Sequence, residues 1–217
     1  MKDKTRVIIV DDHPIFRRGL RETIESDRTF VVAAEASDGE SALSKIKSLR
    51  PDVAIVDLHL PKMGGLELVR SVSALASAPA VIVLTMHGEE SMFNAAMDAG
   101  AQGYILKENA VSDLLAGLKA AASGGVFISP SVAGYLMRRH QRASALKEER
   151  KGLARLTPTE RRVLHLVAEN KTNKEIGREL FISHRTVETH RHHICEKLGI
   201  SGNRALLKFA FAHTSEL

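Results

Sequence analysis

The chain has 217 residues, 44% hydrophobic and 26% charged, enough for a real core and for two ordinary domains of a soluble protein. No apolar run approaches the roughly 20 residues that span a bilayer, the opening MKDKTR lacks a hydrophobic signal region, and a lone cysteine, Cys195, excludes an internal disulfide or a cysteine-based zinc site and fits a reducing cytoplasm. Net charge is +5, but residues 1–123 hold 14 Lys+Arg against 17 Asp+Glu and residues 124–217 hold 17 against 9, so an acidic half precedes a basic half that suits a polyanion.

In chain order, short apolar runs rich in Val and Ile occur at 7–10, 30–34, 53–56, 80–84 and 104–106. They read as strands buried on both faces. Helical periodicity lies between them, over about 14–26, 39–49, 65–76, 89–99 and 111–123, with start signals at Ser37-Asp38-Gly39 and Ser112-Asp113. This alternation predicts a doubly wound α/β domain with a five-stranded parallel sheet, flavodoxin-like in architecture.

Ligands of such sheets bind beyond the C-terminal strand ends. Strand one ends at Asp11-Asp12, strand three at Asp57 and strand four at Thr85, while Lys107 follows strand five. Converging carboxylates need a cation. Magnesium suits oxygen ligands and a neighbouring phosphate, so Asp11, Asp12, Asp57 and the backbone carbonyl of His59 form a candidate Mg²⁺ site. A carboxylate can also attack phosphorus, with Mg²⁺ and Lys107 neutralising charge and Thr85 bonding a phosphoryl oxygen.

The segments VDDHP, VDLHLPKMGGLEL, LTMHGEE and GYILK resemble the signature of a receiver domain of two-component signalling over about residues 5–123. That resemblance implies Asp57 as phosphoacceptor, Asp11 and Asp12 as metal holders, Thr85 and Lys107 as a switch pair, and Tyr104 as the aromatic whose rotation reports phosphorylation. His13 is expected only to cap a helix or meet solvent. Met86 is expected to limit water access to a phosphoryl group.

Residues 124–152 read as a linker with a helix from about Pro130 to Arg142 and a solvated run, KEERK. Residues 153–217 read as a small all-α domain of four short helices. Thr157-Pro158-Thr159-Glu160 and Thr172-Asn173-Lys174-Glu175 are capping boxes. Ser183 caps the third helix, and Asn203 or Ser201 the fourth. The tight turn FIS predicts a helix-turn-helix. Val187, His190, Ile194 and Leu198 share the core face of the third helix. Phe209 and Phe211 are expected in the core, with pairing of that helix across a dimer as the alternative.

TNKEIGRELFIS, RTVETH and EKLGI resemble the LuxR-type helix-turn-helix, and the whole chain resembles a NarL/FixJ-family response regulator. The resemblance points to Glu188, Thr189 and His192 as base readers, with Lys174, Arg185, Thr186 and Lys197 on phosphates. Glu188 stands where many relatives carry lysine, and a glutamate can accept from cytosine N4. The implied partners are a sensor histidine kinase, double-stranded DNA, a second copy of the phosphorylated chain and, as a further candidate, RNA polymerase. Two rivals remain. An aspartate-nucleophile phosphohydrolase would carry a second aspartate where His59 stands. The receiver could also serve only as a dimerisation scaffold.

Overall fold

The computed structural model describes residues 4–214. They divide into two compact units that part between Arg139 and His140. Among the described residues no helix is long and apolar enough to cross a membrane.

The first unit alternates β1 (Thr5–Val10), α1 (Pro14–Ser26), β2 (Phe30–Ala36), α2 (Gly39–Leu49), β3 (Val53–Val56), α3 (Gly65–Ser73), β4 (Ala80–Thr85), α4 (Glu90–Asp98), β5 (Gly103–Leu106) and α5 (Ala110–Ala122). The sheet order is β2-β1-β3-β4-β5, continued beyond β5 by β6 (Phe127–Ile128), and every pairing is parallel. Alternate strand residues feed two cores. Ile8, Val10, Val56, Val83 and Tyr104 pack with α2, α3 and α4. Val7, Ile9, Ile55, Leu84 and Ile105 pack with α1 and α5. Burial on both faces explains why these strands read as continuous apolar runs.

Three expectations need correction here. The five expected strands are present, but the expected linker is not free of strand: among the described residues β6 lies within it and pairs with β5. Ser112-Asp113 does not start α5. A 3₁₀ turn, Lys107–Asn109, leads into it at Ala110, and Asp113 instead accepts from buried Ser129 Oγ at 2.6 Å. The linker helix, α6, runs Ala133–Ala154 rather than stopping at Arg142. Residues 143–151 are mostly Ala, Leu, Lys, Glu and Arg, all strong helix formers, so nothing breaks it there.

The second unit contains α7 (Pro158–Ala168), α8 (Asn173–Glu179), α9 (His184–Leu198) and α10 (Asn203–Ala212). Both capping boxes form, and Ser183 caps α9. α10 instead starts after Gly202 with no side-chain cap. Val163, Ile176, Val187, Ile194, Leu206 and Phe209 form one core, against which Cys195 and Leu198 pack. Phe211 is exposed, contrary to expectation. It lies two residues from Phe209 on a helix, and so points elsewhere.

Candidate functional site

β1 and β3 are neighbours at the point where strand order reverses, the place where such sheets open a crevice. Their C-terminal ends deliver Asp11 and Asp57, which are 1% and 3% exposed. Lys107, one residue after β5, bridges them. Its Nζ lies 2.6 Å from Asp57 Oδ2 and 2.7 Å from Asp11 Oδ2, and sits 4.8 Å from the Phe16 ring centroid. Burial would lower the lysine's pKa, but the adjacent carboxylates of Asp11 and Asp57 reverse this and hold it above its ordinary value.

Backbone donors orient the acids. His13 N–H donates to Asp11 Oδ1 at 2.8 Å and His59 N–H to Asp57 Oδ1 at 3.2 Å. Arg17 donates to the Asp11 carbonyl at 2.6 Å, a support with no signal in the sequence beyond its place one turn after His13. Asp12 is exposed, and its Oδ1 lies 2.7 Å from His13 Nδ1. His13 thus provides no side-chain cap but touches both carboxylates of the pair. The loop after β3 passes close beneath the site. A Cβ on Gly65 would lie 2.1 Å from the Asp57 carbonyl oxygen, so only glycine fits.

Asp11, Asp12, His13 and Asp57 each offer a ligand atom, and all four atoms lie within 4.8 Å of one another. Asp11 Oδ2 is buried and accepts no well-directed hydrogen bond despite its proximity to Lys107. That unfilled lone-pair capacity, in an oxygen-rich set, fits a hard dication.

Thr85 is fully buried, and its Oγ1 accepts from His87 N–H at 3.2 Å. Met86 beside it is 73% exposed. The His59 and His87 rings stack with centroids 4.4 Å apart, joining the loops after β3 and β4. Tyr104 is fully buried and donates to the His87 carbonyl at 2.6 Å. Burial, with the charge of Glu89 adding, pushes its phenol up to about 12.

In the second unit α8 and α9 are joined by a tight turn. Gly177 permits it, since a Cβ there would lie 2.8 Å from the Ile182 carbonyl oxygen. Lys174, Arg185, Thr186, Glu188, Thr189 and His192 are all exposed. Asn173 donates to Glu188 at 3.4 Å while accepting from Arg191 at 2.9 Å. Lys197 stands apart from that set. Its Nζ pairs with both carboxylate oxygens of buried Glu160, at 2.8 and 2.7 Å. Burial pushes the Glu160 pKa up, but the bonds from Lys197 and Thr157 outweigh it and hold the carboxyl below its usual range.

A parallel sheet with a lysine-bridged acid cluster at its strand ends, followed by a helix-turn-helix, defines a signalling module coupled to a regulatory one. Residues 7–119 match the model of the response regulator receiver domain, and residues 154–210 that of bacterial regulatory proteins of the luxR family. The transcriptional regulatory protein LiaR of Bacillus subtilis is 36% identical over 214 residues, covering 98% of each chain. The nitrate/nitrite response regulator NarL of Escherichia coli K12 is 33% identical over 197 residues, or 91% of this chain and 90% of that one. The solved RcsB response regulator of Salmonella typhimurium superposes with a TM-score of 0.59 at 31% identity, covering 98% and 100%. A structure of RcsB dimers on DNA gives 0.57 at 31% identity, covering 97% and 99%. The chain therefore belongs to the two-component response regulators that join a receiver to a luxR-family helix-turn-helix.

Proposed function

We propose that the receiver, residues 5–123, accepts a phosphoryl group on Asp57 from a partner histidine kinase and thereby controls dimerisation and DNA binding by residues 153–217. The observation that carries this is the single Lys107 ammonium held between two buried carboxylates at the strand ends. An Asp57 oxygen attacks the phosphorus of a phosphohistidine. The P–O bond forms as the P–N bond breaks, and the leaving imidazole takes a proton. Mg²⁺, held by Asp11, Asp12, Asp57 and the His59 carbonyl, would offset the charge of the transferring group. Thr85 and Lys107 then bond phosphoryl oxygens, and Tyr104 follows the loop after β4. The outcome is a population shift between two states of one fold.

On DNA, Glu188, Thr189 and His192 read bases, and Lys174, Arg185 and Thr186 hold phosphates. Lys197 serves this last role least, because Glu160 already neutralises it. The protein acts in the cytoplasm, and at a promoter RNA polymerase is its further candidate partner. Selection of binding sites from a random duplex pool tests this reading. Phosphorylated wild type should enrich one site, and Glu188→Lys should alter one base position of it. Enrichment of no site would defeat the reading.

A further inference from the structure

Two consecutive carbonyls in the loop after β4 are each taken by a different tyrosine. Tyr104 Oη donates to the His87 carbonyl at 2.6 Å, and Tyr135 Oη to the Gly88 carbonyl at 2.7 Å. The same loop meets Thr85 through the His87 N–H. Phe93 stands between the two phenols. Its centroid lies 5.3 Å from Tyr104, edge-on, and 5.7 Å from Tyr135.

Tyr135 belongs to the first turn of α6. Arg138 covers its ring at 4.9 Å and pairs with Glu90 at 2.9 Å, while Arg139 pairs with Asp98 at 2.6 Å. Glu90 opens α4 and Asp98 closes it, so the start of α6 is fastened along α4 at both ends.

We propose that Tyr135 is a positioning residue that couples the start of α6 to the acid pocket. Gly88 lets its peptide turn freely unless the carbonyl is held. Holding that carbonyl fixes the adjacent His87 carbonyl, the partner the buried Tyr104 hydroxyl needs, because an unpaired buried hydroxyl is costly. Tyr135 therefore acts through Gly88 on Tyr104 and on the His87–Thr85 bond. Coupling of this kind is reciprocal. A group bound at Asp57 alters the docking of α6, and loosening α6 alters binding at Asp57 by the same factor.

The chain has two tyrosines and no tryptophan, which makes the test direct. The full chain is labelled with 3-fluorotyrosine, and the two ¹⁹F lines are assigned with Tyr104→Phe and Tyr135→Phe. In Tyr135→Phe, which keeps the ring and loses only the hydroxyl, the Tyr104 line should shift or split. The midpoint for beryllofluoride binding with Mg²⁺ should move by about 5-fold or more. A Tyr104 line or a beryllofluoride midpoint that coincides with wild type would overturn the proposal. The ¹⁹F result needs no phosphoryl mimic. If wild type takes no beryllofluoride, it is the Asp57 reading that fails, and the Tyr104 line still decides the role of Tyr135.

Discussion

Lys107 is the residue on which the acid pocket's electrostatics turn. Removing it leaves two buried carboxylates facing each other without a cation, and breaking such a buried pair typically costs about 3 kcal/mol or more. Lys107→Met should lower receiver stability by an amount of that order in urea unfolding, with a smaller loss when Mg²⁺ is present. The lysine's folded pKa is raised. Its contribution is therefore complete below the unfolded value of about 10.4 and lost as pH rises through the higher folded value. Phe181 lies in the turn between α8 and α9. It is 95% exposed and has φ of 55°, a left-handed backbone that costs a side chain like phenylalanine about 1 kcal/mol. Asparagine tolerates that region. Phe181→Asn should raise the urea midpoint of the second unit, and a lower midpoint would show that the ring contributes to folding.

At the scale of elements, the capping box of α7 joins local chemistry to a contact remote in sequence. Thr157 Oγ1 accepts from Glu160 N–H, and Glu160 accepts from Thr157 N–H while pairing with Lys197 at the end of α9. Thr157→Ala should cost about 1 kcal/mol. Glu160→Gln should cost more, because glutamine still closes the capping box but leaves the Lys197 ammonium without its carboxylate. The folded Glu160 pKa is lowered, so its contribution is present above the unfolded value of about 4.3 and fades as pH falls through the lower folded value. A pH series of thermal melts, wild type against Glu160→Gln, should therefore converge in acid.

These elements also mark what a sequence can and cannot disclose. Strand ends, capping boxes and the core stripe of α9 are local patterns, and they were legible. The acid pocket was equally so, because each of its residues ends or follows a continuous apolar run bounded by polar residues. β6 was not. It has two residues between Gly124-Gly125 and Ser129-Pro130, too few for an alternation to register. Asp113 carried a helix-start signal but found Ser129 instead. The Lys197–Glu160 pair and the docking of Tyr135, Arg138 and Arg139 on α4 depend on contacts tens of residues apart. No spacing rule reveals such contacts.

At the scale of the whole molecule, the chain sets an acidic receiver before a basic helix-turn-helix. Duplex affinity should fall steeply with salt as counterions are released. Arg185→Ala or Lys174→Ala should reduce the log–log salt slope by about 1. Lys197→Ala should leave that slope intact and instead lower the stability of the second unit, a contrast that separates phosphate contacts from internal ion pairs.

Phosphorylation of Asp57 in a metal-assisted pocket is read out by intact mass after incubation with acetyl phosphate, with and without Mg²⁺, for wild type and Asp57→Ala. Wild type should take one Mg²⁺-dependent phosphoryl adduct and the variant none. An adduct that persists in Asp57→Ala, or a wild type that takes none from either acetyl phosphate or a histidine kinase, would contradict Asp57 as the phosphoacceptor.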